Sequence, residues 1–299
     1  MSRRYAILDV FTSRPLAGNP LAVVLDAEGL DDARMQAIAA EFNLSETVFV
    51  LPPERSVHSA AIRIFTRTRE LPFAGHPTVG TAILLGLERA AAGMGNGEMV
   101  MVLEEKIGPV RCGVSLAGEA LGHAIFDLPR LPEAGGPAPD REAIAAALGL
   151  MPAEIGFENH RPTVYDAGLA FALVPVRDLG VIARAGVNPA AWQSGIGGAA
   201  YLYCRETQES GHHFHARMFS PKLGMEEDPA TGSAVAALAG AIAAFDQPPG
   251  GSHRYVVEQG FEMGRPSLIG LEIDMDGGAV VEGRISGEAV VFARGTIET

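Results

Sequence analysis

One pattern occurs twice in this chain, at places roughly half its length apart, and any fold has to accommodate both copies. Arg63-Ile64-Phe65-Thr66 leads through Pro72-Phe73-Ala74-Gly75-His76 into an Ala-rich stretch. Arg217-Met218-Phe219-Ser220 leads through Pro229-Ala230-Thr231-Gly232-Ser233 into another. Each copy reads as strand, glycine turn and buried helix. Residues 23–39 and 173–185 add a second shared order of strand, acidic turn and Ile-Ala helix. Strand, turn and helix is a common succession, so coincidence stays open, but the matched spacing favours a duplicated domain. A length of 299 residues suits two domains of ~150 each.

Periodicity fills in the elements. Residues 5–10 and 21–25 are short, apolar and β-rich, with a Pro, Gly and Asn turn between them. Met35, Ile38, Ala39 and Phe42, behind Asp31 and Asp32, have the spacing of an amphipathic helix. Strands are predicted at 47–51, 60–65, 99–103 and 108–114, with a buried helix at 78–92. Gly93, Gly95 and Gly97 are too tightly spaced for a dinucleotide turn and read as a helix stop. Four prolines and two glycines in 128–139 mark a linker, and a helix runs from Asp140 to Gly149. Strands follow near 164–174, 201–204 and 213–219, then an Ala-rich helix at 234–245. Three last strands at 271–275, 279–285 and 289–293 are separated by turns at 276–278 and 286–288. The expected domains are 1–128, joined by a last strand near 289–299, and 140–288.

Composition excludes several functions. With 36 acidic and 23 basic residues the net charge is −13, which repels nucleic acid and anionic membrane surfaces. Two cysteines, Cys112 and Cys204, make neither a disulfide scaffold nor a zinc knuckle and fit a reducing, cytoplasmic setting. The sequence shows neither a signal peptide nor an apolar run of the ~20 residues a membrane helix needs. His212, His213 and His215 suggest a metal cluster, yet in a strand only His213 and His215 share a face, and no spaced partner completes a site. No metal is therefore expected. A phosphate loop and a GxSxG elbow are also absent.

The two glycine turns hold the chemistry. Each ends at a helix start, where unpaired N–H groups and the macrodipole favour anions. Pro77 suits the first helical position and makes His76 the expected N-cap, and Ser233 is the expected N-cap of the other helix. Taken singly, Ser233 reads more readily as only a cap and His76 as only a turn residue, and it is their matching positions that favour a shared role. Glu46 shares a strand face with Val48 and Val50, where desolvation would raise its pKa and suit it to proton transfer. A solvated strand-end acid is the alternative. Asp228 is a loop acid by default and a site carboxylate if its turn lines a pocket.

At these residues the chain resembles the PhzF family, the phenazine-biosynthesis isomerases and relatives of the diaminopimelate epimerase-like fold. The matching stretches are Asp9-Val10-Phe11, Gly18-Asn19-Pro20, Asn43-Leu44-Ser45-Glu46, Leu71-Pro72-Phe73-Ala74-Gly75-His76-Pro77 and Glu227-Asp228-Pro229-Ala230-Thr231-Gly232-Ser233. Met218-Phe219-Ser220, Gly264-Arg265-Pro266-Ser267 and Gly295-Thr296-Ile297 extend the match to the C-terminus. The resemblance implies an α+β fold of two similar, pseudo-symmetric domains. Each is a curved, mostly antiparallel sheet around a central helix, with the active site in the cleft between them. It also implies a homodimer without metal or organic cofactor. Glu46 takes the place of the family's acid/base, with His76, Asp228 and Ser233 as further catalytic residues and Ser45, Gly75 and Gly232 as substrate-binding residues. The reference reaction is isomerisation of trans-2,3-dihydro-3-hydroxyanthranilate.

Related two-base racemases carry cysteines at the two glycine turns, where this chain has His76 and Ser233. A serine hydroxyl is too weak an acid at neutral pH to exchange protons as a thiol does. The expectation is therefore a cofactor-independent isomerase using one carboxyl on a small, anionic, cyclic amino or hydroxy carboxylate. The alternatives are a non-catalytic small-molecule or protein-binding member of the fold, or an epimerase of another small acid.

Overall fold

A computed structural model gives the fold. It describes residues 2–94, 97–221 and 225–299. These form two compact units, Met1–Pro129 with Ser286–Thr299, and Arg130–Ile285. The second unit thus starts at 130 rather than 140, and the tail joins the first from 286.

In the first unit, β1 (Ser2–Val10) pairs antiparallel with β2 (Asn19–Val24). Helix α1 (Asp32–Phe42) follows, started by the Asp31 carboxylate, which accepts from Arg34 N at 2.8 Å. It buries Met35 and Ala39 against Phe49 and Phe65, as its periodicity predicts. Strand β3 (Glu46–Leu51) then lies parallel to β2 and antiparallel to β4 (Ala60–Phe65), which pairs with the short β5 (Glu70–Leu71). Helix α2 (Gly75–Ala91) is buried around its whole circumference through Leu84, which explains its Ala, Gly and Thr content. A Cβ on Gly80 would come within 2.7 Å of Leu21 and 2.8 Å of Val10, so only glycine lets the helix approach those strands. Strand β6 (Glu98–Glu105) returns parallel to β4, and β7 (Gly108–Leu116) and β8 (Leu121–Asp127) continue antiparallel. The chain's last residues close this unit by pairing antiparallel with β1.

The second unit begins with β9 (Glu133–Ala134), inside the stretch expected to be a linker. That stretch is tied down because β9 pairs with β10 (Thr163–Asp166), and Gly135 N donates to Val164 O at 2.8 Å. Helix α3 (Arg141–Leu148) sits between Asp140 and Gly149, the latter at φ 67°, as read from the sequence. The strand expected at 164–174 is a hairpin, β10 and β11 (Ala170–Pro175), turned at Gly168 with φ 114°. Two short helices, α4 (Leu179–Arg184) and α5 (Pro189–Gly195), pack with α3 into a core around Trp192. Strand β12 (Ala199–Cys204) lies parallel to β11 and antiparallel to β13 (Phe214–Ser220), which pairs with β14 (Met225–Asp228).

Helix α6 (Gly232–Phe245) is the buried Ala-rich helix of this unit. Gly240 is required there because a Cβ would overlap the Tyr165 ring. Strand β15 (Gly251–Gln259) runs parallel to β13 and antiparallel to β16 (Ser267–Asp276). The order of parallel and antiparallel partners from β10 to β16 thus repeats the order from β1 to β7.

Strand β17 (Ala279–Glu298) follows the expected turn at Gly277 and Gly278, whose φ values are 56° and 82°. It is continuous, so the turn expected at 286–288 does not form. Pairing wins over turn composition there: Glu288 O accepts from Phe11 N at 2.7 Å, and Gly287 stays buried within the strand's alternation. Gly95 of the expected helix stop lies outside the described residues. Among the described residues no helix is long and apolar enough to cross a membrane.

Candidate active site

In the first unit the Asn43-Leu44-Ser45-Glu46 segment joins α1 to β3. Asn43 ends α1 in the left-handed conformation (φ 53°, ψ 29°), which turns the chain so that Glu46 opens β3. Ser45 is half-buried beside it. His76 stands in the first turn of α2, and its Nε2 is 3.5 Å from Glu46 Oε2. On the other edge of the ring, Asn19 Nδ2 is 3.4 Å from Nδ1. With Asn19 donating, Nδ1 accepts and the proton of the neutral ring sits on Nε2, facing Glu46. That Nε2 is buried and makes no hydrogen bond among the described residues. Burial pushes the His76 imidazole down to about 3, so it is neutral at physiological pH.

His76 is not the helix N-cap. Ala74 holds that position, and no side chain caps the helix, because α2 already starts at Gly75 and places Pro77 within its first turn. The ring is thereby directed at Glu46 instead of at its own backbone.

In the second unit β14 delivers Asp228, which is buried, to the start of α6. The N-cap of α6 is Thr231 and not Ser233. The Thr231 hydroxyl donates to Asp228 Oδ2 at 2.5 Å and accepts from Gln259 rather than from a helix N–H, so this helix start also lacks a side-chain cap. Gln259, at the end of β15, locks the turn. Its Nε2 donates to Asp228 O (2.8 Å) and Thr231 Oγ1 (3.1 Å), and its Oε1 accepts from Thr231 N (3.1 Å) and the Tyr201 hydroxyl (3.2 Å). Burial, then the Asp228 charge, raises the Tyr201 phenol well above its ordinary range and keeps it a neutral donor. Gly232 is buried at the helix start, and Ser233 is half-buried beside it.

The structure therefore brings Glu46 and His76 together, and it sets Asp228 beside Gly232 and Ser233 in one turn. Three contributors escaped prediction as site residues. Asn19 and Thr231 lie inside quoted motifs, whereas Gln259 carried no signal because β15 itself was not foreseen.

The histidine group resolves differently from its expected pairing. His213 precedes β13 and its ring lies against Tyr255, so His212 and His215 are the two that share a partner, Glu258, at 2.7 and 2.8 Å. Glu262 takes the other nitrogen of His215 at 2.9 Å. These acids come from distant sequence, which spacing could not show. Among the described residues the one metal-like cluster is Glu158, His160 and Asp246. The Arg205 guanidinium already lies in it, bonded to Asp246 and 3.3 Å from His160 Nε2. Both cysteines are free and buried, and burial raises the Cys204 thiol to about 12 and the Cys112 thiol further.

The sequence matches the phenazine biosynthesis-like protein family, PhzC-PhzF, over residues 8–295. The chain belongs to the PhzF family. It is 50% identical to an uncharacterized isomerase of Mesorhizobium japonicum over 99% of each chain. It is 36% identical to the trans-2,3-dihydro-3-hydroxyanthranilate isomerase of Pseudomonas chlororaphis over 98% of each. The crystal structure of a Bacillus anthracis phenazine biosynthesis protein of the PhzF family superposes with a TM-score of 0.88, at 25% identity and 100% coverage of both chains. The protein is thus a PhzF-family isomerase.

Proposed function

We propose that this PhzF-family isomerase moves one proton between two carbons of a small cyclic amino or hydroxy carboxylate, with Glu46 as the carrier. The observation that supports this most is the placement of the Glu46 carboxyl beside a buried, neutral imidazole whose Nε2 proton is unspent. In the proposed step a C–H bond of the substrate breaks, its proton passes to the Glu46 carboxylate and its electron pair enters the conjugated system. Glu46 then gives a proton to the second carbon, where the new C–H bond forms, and because a carboxyl proton exchanges with water while it is held, solvent label enters the product. The neutral His76 orients the carboxyl or a substrate oxygen without competing for that proton, since its own basicity is suppressed. Asp228, Ser233, Ser45 and the backbone N–H groups of Gly75 and Gly232 are assigned to substrate contact, the amides for a carboxylate and Asp228 for an amine. No step in this scheme requires a metal or an organic cofactor.

The similarity to the Pseudomonas chlororaphis enzyme makes trans-2,3-dihydro-3-hydroxyanthranilate the first substrate to test. Incubation in deuterated water, followed by mass spectrometry and NMR of the recovered acid, reads both turnover and exchange. Isomerised product is the expected result. An unchanged, unlabelled acid, with the same outcome for related anthranilate-like acids, would favour the reading of a binding protein. The repeated pairing order within each unit further supports descent of both from one duplicated domain.

A further inference from the structure

The turn between β6 and β7 grips the segment that carries His76 at three points. Lys106 Nζ reaches Glu70 Oε2 at 2.5 Å, and Ile107 N donates to Pro72 O at 3.2 Å. The third point is Glu105, buried against the first turn of α2, with its Oε1 2.7 Å from Thr78 Oγ1. The same Thr78 oxygen is 2.8 Å from Ala74 O. A hydroxyl has one proton, and two oxygens this close without a proton between them repel. Both short contacts are satisfied if Thr78 donates to Ala74 O and the carboxyl of Glu105 donates to Thr78.

We propose that Glu105 is a positioning residue for the Ala74-Gly75-His76 turn and acts in its protonated form, heading a hydrogen-bond chain through Thr78 to the Ala74 carbonyl. Ala74 is the N-cap residue of α2, so holding its carbonyl fixes where the helix begins and hence where the His76 ring points. The inference rests on the reading of Gly75 and His76 as site residues only for its functional meaning. The surroundings agree with a neutral acid. Oε2 of Glu105 is buried and has no hydrogen-bond partner among the described residues, a costly state for an ionised carboxylate. Burial raises the group to about 8. The Cys112 thiol of β7 is coupled to Glu105, and burial keeps it neutral. Lys106 is engaged by Glu70, Glu104 by His58 at 2.6 Å, and His76 on α2 is uncharged. Among the described residues no cation thus offsets a charge on Glu105.

Two readouts on the whole protein test this without any substrate, so they stand apart from the isomerase proposal. The first is the carboxyl 13C resonance of Glu105, assigned by its absence from Glu105→Gln. It should report a protonated group at pH 7 that titrates near 8. The second is hydrogen exchange of the Thr78 amide, whose N–H donates to Ala74 O at 3.2 Å. After correction for intrinsic exchange, wild-type protection should fall about tenfold as pH rises through that midpoint. Glu105→Gln keeps a donor that cannot titrate. Its protection should stay within about threefold of wild type at pH 7 and show no break with pH. Glu105→Ala should lose protection at every pH, and if that variant does not fold, the comparison of wild type with Glu105→Gln decides. A Glu105 ionised at pH 7, or a pH break that persists in Glu105→Gln, would overturn the inference.

Discussion

Replacing Gln259 by Leu tests how the Asp228 turn is held. The side chain is fully buried and serves four partners at once. Leucine fills a similar volume but takes a hydrogen bond from three of them: the Asp228 carbonyl, the Thr231 N–H and the Tyr201 hydroxyl. The Thr231 hydroxyl keeps Asp228 as its acceptor. A buried polar group left without a partner costs about 1–3 kcal/mol. Three lost hydrogen bonds, with the Thr231 N–H and the Tyr201 hydroxyl losing a buried partner, give a loss of roughly 3 kcal/mol. For a unit of this size that corresponds to a fall in Tm of about 6–12 °C. Urea unfolding is the assay, and the midpoint should drop while the m value holds. A loss below about 1 kcal/mol would show that water or a relaxed turn satisfies these groups and that Gln259 is not the lock.

Gly240→Ala should destabilise by about 1–3 kcal/mol because the new methyl meets the Tyr165 ring, and Gly240→Ala combined with Tyr165→Leu should recover part of that loss in thermal melts. His76 has its folded pKa depressed to about 3 from 6.5, so its stabilising contribution is complete above pH 6.5 and is lost as pH falls toward 3. His76→Asn should flatten stability against pH in that window. His215 is shifted upward because bonds to Glu262 and Glu258 outweigh its burial, so its contribution is present below pH 6.5 and is lost as pH rises through the folded value. Chemical unfolding of His215→Gln over neutral to alkaline pH should show a smaller decline than wild type.

The sequence revealed most where local chemistry and tertiary demand agree. The α1 face of Met35 and Ala39, the α3 limits at Asp140 and Gly149, and the two Ala-rich buried helices all followed from periodicity and glycine placement. Boundaries failed where partners far along the chain decide. Ser286-Gly287-Glu288 has turn composition, but the Phe11 and Thr12 amides claim Glu288 O and draw it into a strand. Residues 133–134 look like linker until β10 offers an edge to pair with. In the site, the motif around Glu46 and His76 was legible as residues, while their juxtaposition was not. The N-cap assignments missed by two residues in each helix because Gly75 and Gly232 enter the helices and leave Ala74 and Thr231 as caps. Gln259 was invisible because its role exists only once β15 lies beside β13.

The central claim is that one carboxyl, Glu46, carries the proton. Glu46→Gln preserves size and hydrogen-bonding shape and removes only ionisation. Single-turnover kinetics with trans-2,3-dihydro-3-hydroxyanthranilate in deuterated water, alongside calorimetric binding of the same acid, separates chemistry from recognition. Turnover and solvent exchange should fall together by at least ~10²- to 10⁴-fold while binding stays close to wild type. A Glu46→Gln protein that turns over this acid at near wild-type rate would contradict the account and pass the acid/base role to another group, with Asp228 the next to replace.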